Sequence, residues 1–139
     1  MASTVVIDTN VVLDLLVFKD PATIALQHAL QSGSATWIAT AAMRDELVRV
    51  LAYPQIAPRL AFYRLQPIEV LAAFDAQAQI VDVAPRAPHS CSDADDQRFI
   101  DLAVTHRAAL LSKDKAVLSM KKRLLASGVA TGDATTFVA

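Results

Sequence analysis

A chain of 139 residues is long enough to bury a proper core and is expected to form one domain spanning residues 1–139. Its 54% hydrophobic content exceeds the roughly 45–50% of an average globular protein, as suits a sheet covered on both faces, and no apolar run approaches the length of a membrane span. Thirteen basic residues against fourteen acidic ones leave a net charge of −1, which excludes capture of nucleic acid by the field of the whole molecule and demands a local patch or metal ions for any polyanionic partner.

Val5-Val6-Ile7 opens the chain as a strand, and three β-branched apolar residues in succession imply burial on both faces. The strand stops at Asp8. Thr9 and Asn10 form a good N-cap pair ahead of the apolar stretch Val11 to Val17, so the chain is expected to pass from strand directly into helix. Pro21, at an N1 position, opens a second helix to about Gln31, and Gly33 ends it. Trp37-Ile38-Ala39 is a short buried strand. Thr40 caps a helix with the apolar stripe Met43, Leu47, Val50 and Leu51, closed by Pro54.

The region 55–66 reads as a short helix and Pro67 starts a clearer one through Ala78; Leu60, Phe62 and Tyr63 are assigned first to core packing and second to a protein interface. Ile80-Val81-Asp82-Val83 reads as a third strand, followed by a loop from Pro85 to Cys91. Ser92 with Asp95 three residues on forms a capping-box pattern for a helix from Asp93 to about Arg107. Ala109 to Ser112 is a fourth strand ending just before Asp114. Residues 115–127 are helical, Gly128 caps them, and Val129 onward supplies a last strand. Strands separated by helices imply a three-layer α/β/α sandwich with a mainly parallel central sheet. Cys91 is the sole cysteine, so no internal disulfide forms; with no basic and hydrophobic leader before the first strand, a soluble, cytoplasmic protein without membrane contact is expected.

Four acidic residues stand out. Asp8 follows the first strand and Asp114 the fourth, so both belong to the same carboxyl edge of a parallel sheet, where ligands bind. Asp96 shares a helical face with Phe99, Ile100 and Ala103, whereas Asp101 points away, as solvent-facing charges do. Glu46 falls on the margin of the Met43/Val50 stripe, where pairing with Arg49 is the plainer alternative. For Asp93 and Asp95 the plainer role is to favour the helix dipole, and for Asp8 it is to cap the following helix. Acids brought together raise one another's pKa, and such a site usually holds a divalent cation. The donors are hard oxygens, and His28, His89 and His106 share no ligand spacing, so Mg2+ or Mn2+ fits and zinc does not. Lys113 and Lys115 beside Asp114 are candidate phosphate contacts, while Lys121-Lys122-Arg123 reads as a solvated helix face. No interleaved aromatic and basic stretch suggests base stacking.

The ordered set Val-Ile-Asp8-Thr-Asn10, Glu46-Leu-Val-Arg-Val-Leu, Ser92-Asp93-Ala-Asp95-Asp96-Gln-Arg-Phe99-Ile-Asp-Leu-Ala103 and Leu-Leu-Ser112-Lys-Asp114 resembles the PIN-domain nucleases, more closely their short single-domain branch found as toxins of bacterial toxin–antitoxin pairs. The resemblance spans essentially the whole chain. It implies a metal-dependent endoribonuclease with Asp8, Glu46, Asp96 and Asp114 as the acidic site, and Asn10 and Ser112 as supporting polar groups. Asp8, Asp96 and Asp114 are the metal ligands it implies, with Glu46 and Asp93 as additional candidates. Ala116 stands where many members carry a further acid, and Ser112 where threonine is commoner; the branch tends to carry an additional aspartate at the start of the third motif, here Asp93, which the resemblance offers as compensation for Ala116. The implied partners are single-stranded RNA and a cognate antitoxin protein, with a homodimer left open. Phosphatase-like alternatives fit less well. A haloacid-dehalogenase-type enzyme resembles Asp-x-Asp where this chain has Asp8-Thr-Asn10, and a receiver domain looks for paired acids at the first strand. The alternative of another class is an idle PIN-like module that binds RNA or protein; an intact acid set argues against it, because a binding-only domain gains nothing from mutually repelling charges.

Overall fold

The structure is a computed structural model, and residues 3–136 are described. Five parallel strands, β1 (Ser3–Ile7), β2 (Ala35–Ala39), β3 (Ala78–Ile80), β4 (Ala109–Leu111) and β5 (Thr131–Gly132), form one sheet in the order β3-β2-β1-β4-β5. The register sets Val5 beside Trp37 on one side and Ala109 on the other, and Ile7 beside Leu111. Val5 and Val6 are wholly buried, as a central strand with helices on both faces requires.

Between β1 and β2 run α1 (Thr9–Leu13), a π-helical segment (Asp14–Phe18), a 3-10 turn (Pro21–Thr23) and α2 (Ile24–Ser32). Helices α3 (Ala41–Leu51), α4 (Ala57–Phe62) and α5 (Pro67–Gln77) lead to β3; α6 (Gln97–His106) leads to β4; α7 (Lys115–Leu118) and α8 (Lys121–Leu125) lead to β5. The strand order steps one way from β1 to β3 and the opposite way through β4 and β5. Right-handed crossovers therefore lay the earlier helices on one face and the later ones on the other, giving the three-layer α/β/α sandwich. The order reverses between β1 and β4. That is the switch point at which a parallel sheet opens a crevice beyond its carboxyl ends.

Several local expectations hold in outline and shift in detail. Gly33 and Gly128 both take left-handed backbone, with φ of +81° and +80°, and end α2 and α8 as expected. Thr40 caps α3 through its hydroxyl, which accepts from the Met43 amide. The third strand lies at Ala78–Ile80 rather than Ile80–Val83. Helix α5 runs straight into it, Val81 gives a last hydrogen bond to the Ala39 carbonyl, and Val83 is left 79% exposed. An edge strand has one neighbour only, so pairing with β2 decided its position over the β-branched preference of Ile80 to Val83.

The helix expected from Asp93 begins as a 3-10 turn (Ala94–Asp96), and its cap is Asp93, whose Oδ1 accepts from the Asp95 amide at 3.0 Å. The Ser92–Asp95 capping box is thereby corrected. Residues 115–127 form two short helices rather than one, breaking at Ser119 and Met120, where Met120 is buried and its amide bonds the Val117 carbonyl. Core packing holds for Leu60 alone of its trio: Phe62 is 80% exposed and Tyr63 40%. Among the described residues no helix is long and apolar enough to cross a membrane.

Candidate active site

Asp8 is delivered by the end of β1. Its amide donates to the Leu111 carbonyl of β4, and its own carbonyl accepts from Val11 and Val12, so its backbone turns the strand into α1. The N-cap is thus Asp8 rather than the Thr9-Asn10 pair, and it caps with the main chain alone: the carboxylate makes no capping hydrogen bond. Instead Asp8 Oδ2 accepts from Ser112 Oγ at 2.6 Å, and both residues are buried. Using Asp8 merely as a helix cap does not explain this side chain. Burial pushes its pKa up to about 6; the Ser112 hydroxyl opposes that rise, while the charges of Glu46 and Asp114 add to it.

Ser112, wholly buried after β4, also accepts from the Asp114 amide at 3.0 Å. One hydroxyl therefore fixes Asp8 from one strand and the start of the loop carrying Asp114 from the next. Asp114 in turn caps α7, its Oδ1 accepting from the Ala116 amide at 2.9 Å. Asn10 ties the same edge together by accepting from the Lys113 amide at 3.3 Å.

Asp96 arrives from the opposite direction, on the turn that opens α6. It is 8% exposed, faces inward with the Phe99 and Ile100 stripe as its helical phase implies, and its Oδ2 is buried without a hydrogen-bond partner. Burial first, then the adjoining Asp114 side chain and the charges of Asp8, Asp114 and Asp93, hold its carboxyl well above the ordinary range. One oxygen each from Asp93, Asp96 and Asp114 lies within 4.8 Å of the others. Among the described residues Asp8 and Glu46 fall outside that tight set, although Asp8 couples electrostatically to Asp96. Asp93, whose plainer reading was the helix dipole, is drawn into it.

Glu46 Oε2 accepts from Thr9 Oγ1 at 2.5 Å, which links α3 to the residue after Asp8. Its partner is Thr9 rather than Arg49. Lys113 is exposed on its stem, yet its Nζ reaches Asp14 Oδ2 at 2.8 Å, and Lys115 is exposed at the first position of α7. These lysines flank Asp114 in the chain.

The cluster, with Asp8 beside it, matches what a hard divalent cation requires: carboxylate donors from separate elements, one orphaned buried oxygen on Asp96, and, in Asp96 and the neighbouring Asp8, two carboxyls with raised pKa that a positive charge would bring back down. A profile of the PIN domain matches residues 4–116, a stretch that contains all of these acids. The chain belongs to the PIN-domain family. PIN domains are a nuclease family, and the match ends two residues past Asp114. A comparison with curated proteins gave no match.

Three further residues build this PIN site in ways that the sequence does not announce. Asp14 is buried in the π-helical segment and holds Lys113; a lone charge inside the apolar run Val11 to Val17 was its signal. Thr9 bonds Glu46, but in the sequence it resembles any capping threonine. Gln97 is buried beneath the loop before α6: its Nε2 donates to the His89 carbonyl and to Asp101, and its Oε1 accepts from the Cys91 amide at 2.7 Å. Asp101 also accepts from the Ala87 amide, so it anchors that loop rather than facing solvent as expected.

Proposed function

We propose that this PIN domain is a metal-dependent endoribonuclease that cuts single-stranded RNA with water as nucleophile, acting in the cytoplasm as the toxin of a toxin–antitoxin pair. The observation that carries the nuclease reading is the Asp96 carboxyl, buried, unpartnered at Oδ2 and pressed among Asp93, Asp114 and Asp8. Such an arrangement destabilises the empty protein and is justified by a bound cation. Asp96 and Asp114 with Asp8 are the ligands in this reading; Asp93 and Glu46 complete the set, and Mg2+ or Mn2+ suits the all-oxygen donors. A cation held there supplies Lewis-acid polarisation of the phosphodiester and lowers the pKa of a coordinated water.

The chain's own residues supply the rest. Ser112 holds Asp8 at the phosphate edge, and Asn10 fixes the Lys113 backbone. Glu46, anchored by Thr9, orients the attacking water and takes its proton. Lys113 and Lys115 meet the phosphate oxygens as the P–O bond to the departing nucleotide breaks. A cognate antitoxin is the protein partner that the toxin reading requires.

The test is cleavage of a labelled single-stranded RNA. Wild-type protein with Mn2+ should produce internal cuts that a chelator abolishes, with duplex DNA cut far less. Cleavage that persists in chelator, or RNA bound but never cut with any divalent metal, would sink the proposal. Co-expression with the product of a short neighbouring reading frame should suppress toxicity if the antitoxin part is right.

A further inference from the structure

Beside the acid cluster lies a pocket of about 390 Å³ whose walls include Phe18, Asp20, Arg59, Tyr63 and Lys113. It is near the lower end of the roughly 300–1,000 Å³ that small-molecule sites span, a size for one nucleotide rather than a long segment. Its walls come from three stretches of chain, so no aromatic and basic alternation appears in the sequence. In space the alternation is present: Arg59 Cζ sits 3.7 Å from the centroid of the Phe18 ring, and Phe18 and Tyr63 stand 5.9 Å apart at 50°. Phe62 packs edge-on against Tyr63 at 5.2 Å and is 80% exposed.

We propose that this pocket, walled by Phe18, Arg59, Tyr63 and Lys113, is a substrate subsite that seats a nucleobase of single-stranded RNA next to the cleaved bond. The inference rests on the nuclease reading above and adds to it the place where the strand leaves the metal site. Continuity carries it: Lys113 is shared between the pocket wall and the loop that joins Ser112 to Asp114, and Asp14, in the same wall, follows Asp8 on the first helical run. Charge decides which part of the nucleotide enters. The pocket's cations Arg59 and Lys113 are matched by Asp14, paired to Lys113, and by Asp20, whose Oδ1 accepts from the Ala22 amide. A net-neutral recess disfavours a phosphate inside and suits a neutral aromatic body with edge donors and acceptors. A ring and a guanidinium supply stacking for any base, and the phosphate stays at the rim with Lys113.

Steady-state cleavage of a single-stranded oligoribonucleotide by wild type, Arg59→Gln, Tyr63→Leu and Tyr63→Phe tests this. Both Arg59 and Tyr63 are exposed, and melting curves verify that each variant folds. Arg59→Gln and Tyr63→Leu should each raise KM about tenfold, the loss of one stacking contact, with kcat little changed, and Tyr63→Phe should stay near wild type. Unchanged KM in the first two variants, as a pocket reserved for a partner protein would give, overturns the subsite. So does a Tyr63→Phe protein as damaged as Tyr63→Leu. If wild type cuts no RNA, the nuclease reading fails separately, and fluorescence anisotropy of the labelled RNA in chelator decides the subsite: tenfold weaker binding by the two variants supports it, equal binding overturns it.

Discussion

Ser112 and Asp8 are joined across the switch point of the sheet by a 2.6 Å hydrogen bond in which a wholly buried hydroxyl donates to a buried carboxylate. The same oxygen accepts from the Asp114 amide, so the positions of two acids on adjacent strands depend on one small side chain.

Ser112→Ala removes both contacts. It leaves the half-buried Asp114 amide without its acceptor and the buried Asp8 carboxylate without that donor, at an expected cost of about 1–3 kcal/mol. Because the Ser112 hydroxyl works against the upward pull of burial on Asp8, its loss should raise the Asp8 pKa further and move the acid limb of the pH–rate profile to higher pH. Ser112→Thr keeps the hydroxyl and should restore the profile. An alanine variant with an unmoved acid limb would show that the hydroxyl does not tune Asp8.

Gln97 is the second structural dependency, holding the loop 84–93 to α6 through His89 and Cys91. Gln97→Ala leaves the half-buried Cys91 amide without its acceptor and the His89 carbonyl without its donor, and should cost about 1–3 kcal/mol. Hydrogen exchange should rise across residues 87–93 while β1 and β4 stay protected. Asp93 is the last residue of this loop, so the variant's melting point should also respond less to Mn2+. Unchanged exchange in the loop would contradict the tether.

The buried strands β1 and β4, the switch-point acids Asp8 and Asp114, and the inward phase of Asp96 were legible because each depends on local pattern: β-branched runs, a carboxylate at a strand end, apolar positions three and four residues apart. The edge strand was misplaced because pairing with β2 is a tertiary choice that outweighs local propensity at Ile80 to Val83. Gln97, Thr9 and the Arg59 pocket were illegible for a different reason. Thr9 and Arg59 act on partners far away in the chain, and Gln97 acts on a loop that has no periodic pattern to place it, so each reads the same in the sequence whether or not its partner arrives.

The three aspartates that open α6 should separate cleanly as asparagine variants. Asp96→Asn removes the buried acid whose ionisation the metal-free site opposes, so the metal-free fold should be as stable or more so, while cleavage is lost. Asp93→Asn retains a capping oxygen for the Asp95 amide and asparagine caps as well as aspartate, so stability should hold while metal affinity and activity fall. Asp95 is exposed, and Asp93 rather than Asp95 supplies the cap, so Asp95→Asn should change neither. Cleavage assays and melting curves on the three proteins check this; an inactive Asp95→Asn with an active Asp96→Asn would reverse the assignment.

Stability without metal should fall as pH rises from about 4 towards neutrality, the opposite of a protein held by salt-bridged carboxylates. In the unfolded chain Asp8 and Asp96 ionise near 3.8, whereas in the native site burial holds Asp8 to about 6 and Asp96 higher still. Between those limits the native state binds more protons than the unfolded one, so the slope of unfolding free energy with pH is negative. For Asp8 the window is from about 4 to 6, and the Asp96 contribution extends beyond it. Cation binding reverses the sign, because the native site then prefers both carboxyls ionised and binding to the native state alone adds stability by mass action. Melting temperatures measured from pH 4 to 8 should therefore decline in chelator and rise or flatten in millimolar Mn2+, with the gap between the two curves widening as pH increases. Asp96→Asn should flatten the chelator curve and close most of the gap. Parallel curves with and without Mn2+ in the wild type would refute the cation site and the acid cluster's role with it.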